Sequence, residues 1–397
     1  MSETQQKPSG WLNVAIDYGP ILVFFLVYRW SKPDGDSPSG EIFAVIQSTG
    51  AFIVAAIAAL IFSKWKLGKV SPMLMLSTAL IVGFGALTIW LRDERFIQLK
   101  PTIIYVHGWQ NGSTQRKNRE TFNRQDAGGP NLDLAHSWLA AGYNVGVLYW
   151  NQFADEGEVK DAEAKIWTAS GPRAMRWRNS SGVYSNGPSQ SAGDLLFNSY
   201  KANMAGYSGN NIRILGHSLG NQMAIVLTKK ISDAVSAGSL SSRLLPKRVA
   251  LLDPFYSNYA KSYLGNKWVG EVCRTYVSEL KTKGVIFETY RSSGASSTGF
   301  IGDSNSGLMN MTAFTELKPW YFGSTQLTEK HNAAVWHYLW SFSSNPPLIS
   351  GTSTQAASAR TSDSRIAAIM NGSKKLVHDQ GAYTKEPSDD NFKEANR

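Results

Sequence analysis

Two stretches near the N-terminus, IFAVIQSTGAFIVAAIAALIF from residue 42 and PMLMLSTALIVGFGALTIWL from residue 72, contain no charged side chain. A helix of about 20 apolar residues crosses ~30 Å of hydrocarbon, and neither stretch carries the polar face that a surface helix of a water-soluble domain needs. They predict membrane helices near 42–63 and 72–91. A third run, 11–30, reads the same way, although Asp17 and the pair Gly19-Pro20 interrupt it. Residues 1–100 are therefore expected to form a three-helix membrane segment. No cleavable signal peptide is expected, since the first run lacks a small-residue cleavage site and is succeeded by two more spans.

The loop basic residues Lys64, Lys66 and Lys69 favour the cytoplasm, which would place everything after residue 92 on the exported side. Arg92, Arg95 and Lys100 oppose that orientation. WLNVAIDYGPILVFFLVYRW and the later KLGKVSPMLMLSTALIVGFGALTIWLRDERFIQLKPTIIY resemble the first half of the bacterial septation protein A family of the inner membrane, over about residues 10–105. The resemblance implies an inner-membrane location and further membrane helices. This chain instead turns to a different pattern at Val106-His107-Gly108. If the membrane segment is not part of the mature protein, the remainder is expected to be secreted.

From residue 101 onward β-branched runs alternate with helical patterns. TIIYV (102–106), YNVGVLY (143–149), NIRIL (211–215), RVALL (248–252) and GVIFETY (284–290) read as buried strands. Helices are expected over 131–141, 192–204, 219–236 and 268–282. This alternation predicts an α/β domain over 101–345 with a mainly parallel sheet, whose site lies at the carboxyl ends of its strands. Residues 346–397 are rich in Ser, Ala, Asp, Asn and Lys and read as a disordered tail with a short helix at 363–371.

Gly216-His217-Ser218-Leu219-Gly220 falls between the strand NIRIL and the helix NQMAIVLTKKI. G-x-S-x-G in that setting is a nucleophile elbow. The turn is so tight that the two flanking positions must lack side chains, and the serine stands at a helix N-terminus. His107-Gly108-Trp109 ends the first strand as an HG-type turn. The two motifs assign oxyanion donors to the backbone N–H groups of Trp109 and Leu219.

The base is found by elimination among six histidines. His217 lies inside the elbow, His107 in the oxyanion turn, His136 in an early helix and His378 in the tail. The order Ser…Asp…His needs a later histidine, which leaves His331 and His337 in EKHNAAVWHYLWS. His331 comes after Thr328 and falls at a helix mouth, so it is the preferred base; His337 lies mid-helix among aromatic residues and is the alternative. Asp233, Asp253, Glu288 and Asp303 all remain open as the acid, Asp253 and Asp303 being placed near strand ends.

IIYVHGW, VLYW (147–150), ILGHSLG, LLDP (251–254) and HNAAVWHYLWS together resemble the pancreatic-lipase-like family of α/β-hydrolases. That resemblance implies an acid in the LDP motif, Asp253, with Asp303 as the alternative, and a triad histidine, His331, with Tyr338 and Ser341 downstream. It also implies ester hydrolysis of lipids. The expected fold is thus an α/β-hydrolase preceded by a transmembrane segment.

The long segments 151–190 and 292–328 are candidate lids. Their Trp167, Trp177, Trp320, Tyr321 and Phe322 are candidates for an acyl pocket, and Arg173, Arg176 and Arg178 for head-group contacts. The single cysteine, Cys273, excludes an internal disulfide and a cysteine-based metal site. No metal or cofactor is expected. The net charge of +10 is spread without a Lys/Arg block, which argues against nucleic acid as a partner. A lipid or ester substrate and the membrane are the expected partners. Two alternatives stand beside the esterase reading: a thioesterase or amidase using the same triad, and a non-enzymatic membrane scaffold of septation type with an inert appended domain.

Overall fold

The computed structural model describes residues 10–32, 38–67, 99–294 and 302–397. The chain divides into two compact units, residues 1–95 and 96–397.

In the first unit, α1 (Gly10–Ser31) packs on α2 (Pro38–Leu67). These helices take up the predicted runs 11–30 and 42–63, whereas 72–91 lies outside the described residues. On α2, Ala44, Ser48, Phe52 and Ala56 recur every four residues and are buried, the spacing of one helix face. Val54, Ile57, Ile61, Phe62 and Trp65 are exposed, as are Leu22, Phe25, Leu26 and Trp30 on α1. Apolar side chains so densely exposed mark a surface made for a non-aqueous neighbour. Among the described residues one helix, Gln47–Trp65 within α2, is long and apolar enough to cross a bilayer. Of the two predicted spans that fall among the described residues, 42–63 meets that condition and 11–30 does not. α1 has Pro20 in its interior and also carries Asp17 and Gly19.

The second unit is built on a nine-stranded sheet. Its strands are β1 (Thr102–Val106), β2 (Asn144–Leu148), β5 (Ile212–His217), β6 (Arg248–Leu252), β7 (Ile286–Arg291), β8 (Ala313–Glu316), β9 (Leu348–Ile349), β10 (Lys374–Gln380) and β11 (Asn391–Asn396). A short hairpin, β3 (Trp177–Arg178) with β4 (Tyr184–Ser185), stands apart. The order across the sheet is β2-β1-β5-β6-β7-β8-β10-β11-β9, and every pair is parallel except β10 with β11. β1, β5 and β6 are buried at every position, which fits their apolar character apart from Arg213, His217 and Arg248. The helices of this unit are α3 (His136–Ala140), α4 (Asn151–Ala154), α5 (Val159–Trp167), α6 (Ala192–Asn203), α7 (Gly220–Ser236), α8 (Val269–Thr282), α9 (Ser306–Met309), α10 (Leu327–Trp340) and α11 (Asp363–Asn371).

The expectation of a disordered tail is corrected. Residues 346–397 supply β9, α11, β10 and β11, and so complete one flank of the sheet. Buried polar bonds and apolar packing both hold them. Arg248, fully buried, pairs with Glu288 through Nε–Oε1 at 2.6 Å and Nη2–Oε2 at 2.7 Å. Its remaining donors reach the carbonyls of Thr361 and Ser358, both at 2.7 Å. Arg213 donates to the carbonyl of Ala359 at 2.6 Å. Glu288 also accepts from Tyr338 at 2.6 Å and Tyr290 at 2.9 Å. Two cations buried at the sheet thus find their acceptors in the backbone of the tail. The tail's apolar share packs into the common core through Ile366, Ile369, Met370, Leu376 and Phe392, with Ala356, Ala357 and Ala359 also buried.

Arg248→Met leaves the Glu288 charge buried and unpaired and should cost about 3–5 kcal/mol in chemical denaturation. A chain ended after residue 345 exposes the flank of β8 and should lose its cooperative transition and its protease resistance. Unchanged melting of that truncated chain would show the tail to be dispensable.

Candidate active site

Four neighbouring strands, β1, β5, β6 and β7, end at the same edge of the sheet. The residues just beyond them are His107-Gly108, Ser218, Asp253 and Ser292-Ser293. Ser218 has φ of 53°, a left-handed conformation that a non-glycine residue adopts only under local constraint. The constraint is visible in its flanking glycines. A Cβ at Gly216 would lie 2.3 Å from the carbonyl oxygen of Gly220, and one at Gly220 would lie 2.2 Å from that of Val106. A Cβ at Gly108 would lie 2.7 Å from Cβ of Ser218. The HG turn is therefore seated directly on the elbow. Among the described residues, no protein acceptor takes the backbone N–H of Trp109 or of Leu219.

The elbow is tied to β6. Ser218 N–H donates to the carbonyl of Leu252 at 3.2 Å, and Asn221 Nδ2 bridges the carbonyls of Ser218 and Leu252 at 3.0 and 2.9 Å. The next residue is Asp253, itself at φ of 41°. Its buried carboxylate faces His331, with Oδ2 2.5 Å from Nδ1. Oδ1 accepts the backbone N–H of Ser292 at 2.8 Å and of Ser293 at 3.1 Å, and the Ser293 hydroxyl donates to Oδ2. Every contact on this carboxylate is a donor. His331 then carries its proton on Nδ1 and keeps Nε2 as the basic nitrogen. Its side chain is 20% exposed, and it sits in the second turn of α10, whose N-cap is Gln326, with Thr328 inside the helix.

His217 links the elbow to that helix. Its ring lies 4.6 Å from the His331 ring, and Nε2 donates to the His331 carbonyl at 3.1 Å. Burial, helped by the charge of His331, lowers its pKa to about 3, so it stays neutral. His107 is likewise structural. Burial lowers its pKa. Nε2 accepts the N–H of Trp150 at 3.1 Å, Nδ1 donates to the Gly108 carbonyl at 2.9 Å, and the Trp150 indole donates to the His107 carbonyl at 2.7 Å.

The other candidates lie elsewhere. Asp303 accepts the N–H of Asn305 at 2.9 Å and lies against Gly270. Glu288 is committed to Arg248, and Asp233 pairs with Lys229 on α7. His337 is buried and bonds Asp390 at 2.6 Å, whose other oxygen meets His378 at 2.9 Å. Burial pushes the Asp390 carboxyl up, but the two imidazoles outweigh it and hold it at about 2. Tyr338 and Ser341 are internal, the latter accepting the N–H of Ala359 at 3.1 Å.

The candidate head-group arginines are already paired: Arg173 with Asp161, Arg176 with Glu156 and Arg178 with Asp155. Trp167 is fixed by Gln222 at 2.9 Å, and Phe322 is buried. The roles of Ser292, Ser293 and His217 are not visible in the sequence; the signal for the serines is their place just after the strand beside that of Asp253. Among the described residues, no group of three or more His, Cys, Asp or Glu side chains is arranged to hold a metal ion.

Comparison with known proteins bears on the N-terminal region. Residues 12–108 match the family Intracellular septation protein A. The chain is 39% identical over 89 residues to the inner membrane-spanning protein YciB of Methylobacillus flagellatus, covering 22% of this chain and 43% of that protein. It is 40% identical over 106 residues to the YciB of a Bradyrhizobium species, covering 26% and 46%. Against the YciB of Acidithiobacillus ferrooxidans it is 35% identical over 95 residues, covering 24% and 45%. The chain thus spans less than half the length of these relatives. The matched region runs through α1 and α2 and ends just past β1.

The neutrality of His217 has a measurable consequence. Its folded pKa of about 3 lies below the ordinary 6.5, so the unfolded chain binds the extra proton between these values. The stability contribution is full above about pH 6.5 and is lost as pH falls toward 3. Replacing His217 by Gln should flatten this acid limb in denaturation midpoints measured across that range; parallel profiles for the two proteins would show that His217 does not set it.

Proposed function

We propose that the unit of residues 96–397 is an α/β-hydrolase domain that cleaves carboxylic esters, with Ser218 as nucleophile, His331 as base and Asp253 as its orienting acid. The observation that carries the reading is the 2.5 Å contact of His331 Nδ1 with Asp253, on a helix seated on the elbow that presents Ser218. In the proposed reaction His331 Nε2 takes the proton of Ser218 as Oγ attacks the ester carbonyl. The carbonyl oxygen becomes an oxyanion received by the free N–H groups of Trp109 and Leu219. Collapse breaks the C–O bond, the leaving alcohol takes the proton from His331, and the acyl group remains on Ser218. Water, deprotonated by His331, then releases the acid and restores the hydroxyl. Asp253 holds the tautomer and stabilises the imidazolium without accepting its proton.

A lipid ester is the substrate class favoured by the motif resemblance and by the apolar helix Gln47–Trp65 in the same chain. The similarity of residues 12–108 to proteins named inner membrane-spanning supports a bacterial inner-membrane location. That same match supports a second reading, in which the chain is a membrane scaffold of septation type and the globular unit performs no chemistry.

The two readings part on one experiment. With the full chain in detergent and p-nitrophenyl butyrate as probe, Ser218→Ala should remove hydrolysis and labelling by a fluorophosphonate, and Asp253→Asn should lower kcat by about 10⁴-fold. A wild-type chain that is folded yet neither hydrolyses a panel of esters, thioesters and amides nor labels at Ser218 supports the scaffold instead.

A further inference from the structure

The segment after β2 looks in sequence like a mobile cover. Its interior is a compact set of buried charges. Asp155, Glu156 and Lys165 have side chains 0%, 0% and 1% exposed. The Glu156 carboxylate receives Lys165 Nζ at 2.6 Å and Arg176 through Nε at 2.8 Å and Nη2 at 2.5 Å. Lys165 also donates to the carbonyls of Phe153 and Arg176. Arg178 pairs with Asp155 at 3.2 Å, and the Tyr184 hydroxyl donates to the Asp155 carbonyl at 3.1 Å. With these cations tied down, the hairpin β3–β4 is clamped to the chain at 155–156.

This platform meets the turn beyond β1. Asp155 accepts two backbone N–H groups with its two oxygens, Gly112 at 2.6 Å and Thr114 at 3.0 Å. The Glu156 carbonyl accepts the Trp109 indole N–H at 2.7 Å, and the Ala154 carbonyl accepts the N–H of Gln110 at 3.3 Å. Asn151 and Glu120 hold the Gln110 side chain, each at 2.7 Å. Every anchor fastens a residue of 109–114 and leaves the Trp109 backbone N–H unused. An oxyanion donor is effective only when it is already in place as charge develops, because reorienting it during the reaction raises the barrier.

We propose that Asp155 and Glu156 are positioning residues: with Lys165, Arg176 and Arg178 they hold the turn at Trp109 so that its backbone N–H is fixed toward the oxyanion. This rests on the ester-hydrolase reading above. The buried pairs also predict that 151–187 stays in place during turnover rather than opening as a lid.

The test compares the full wild-type chain in detergent with Trp109→Phe, which removes the indole bond but keeps an aromatic ring, and with Asp155→Asn, which removes the charge facing Arg178. Rates on p-nitrophenyl butyrate are expressed per serine titrated by a fluorophosphonate, so that loss of folded protein is not counted as loss of rate. In Trp109→Phe, kcat per titrated serine should fall about 10- to 100-fold with KM within about twofold. The inhibition constant of an alkyl boronic acid, whose tetrahedral adduct places an oxygen in the oxyanion position, should rise in parallel. Asp155→Asn should shift both quantities the same way. If wild type labels and turns over while Trp109→Phe keeps its kcat and boronate affinity, the positioning role is wrong and the esterase reading stands. If wild type neither labels nor turns over, both fall.

Discussion

Three glycines, at 108, 216 and 220, bring two chain reversals within van der Waals distance, and the candidate site depends on that approach. Gly216 and Gly220 let β5 turn sharply into α7; Gly108 lets the turn after β1 lie against Ser218. Were any of these positions to carry a Cβ, the atom would fall inside 3 Å of another part of the elbow. Ser218 is consequently held in a left-handed conformation that costs on the order of 1–2 kcal/mol. The surrounding bonds from Leu252 and Asn221 keep it there. Because β6 continues directly into Asp253, the bonds that lock the elbow also fix the carboxylate that meets His331.

How much can be read from the sequence tracks how the stabilising groups are distributed along the chain. β1 is apolar and β-branched throughout, and β5, β6 and β7 carry apolar, aromatic or β-branched residues around Arg213, Arg248 and Glu288, so each announces itself locally. The elbow does so too, because its glycines flank the serine within five residues. Asp253 is not separable from Asp303 by local pattern; only a resemblance in the LDP motif separates them, and the structure brings Asp253 to His331 while Asp303 caps the turn at Asn305. Ser292 and Ser293 escape notice because their function depends on β7 lying beside β6, which no spacing encodes. The tail misleads for a physical reason. Part of its order comes from backbone carbonyls at 358, 359 and 361 that accept from Arg248 and Arg213, which leave no trace in composition, and part from scattered apolar residues such as Ile366, Leu376 and Phe392 that the polar background hides. The segment 151–190 misleads similarly: Arg176 and Arg178 read in sequence as candidate head-group contacts, but they pair with the buried Glu156 and Asp155, and Lys165 is buried against Glu156.

The overlap at β1 shows how one apolar run serves two contexts. The septation-family match continues to residue 108, through TIIYV and on to His107-Gly108. In this chain TIIYV is the second strand of the sheet, paired in register on both sides with β2 and β5. Five β-branched and aromatic residues favour a strand locally, and the chain downstream supplies the partners that complete it. Here the next residues, His107 to Gln110, form a turn anchored by Trp150, Glu156 and Ala154, all supplied by chain beyond the matched region. The same sequence therefore becomes a strand because its neighbours provide edges to pair with.

Two histidines on α10 show why environment, rather than residue type, separates the proposed base from a structural group. His331 and His337 are six residues apart, about 240° around the helix, and so face different parts of the unit. Each meets a carboxylate at nearly the same distance, 2.5 Å to Asp253 and 2.6 Å to Asp390. His331 bonds through Nδ1, remains partly exposed, and keeps Nε2 for chemistry. His337 bonds through Nε2, and its Nδ1 is buried without a partner, so neither nitrogen can reach a substrate. Asp390 is shared with a second imidazole, His378, which ties α10 to β10 and to the start of β11. The carboxylate that serves one imidazole leaves a reactive nitrogen at the helix mouth; the carboxylate that serves two closes the core beneath it. The His337–Asp390 pair, together with the bonds of Ala334 to Ser292 and of Tyr338 to Glu288, fastens α10 beside the strands that carry Asp253 and its donors.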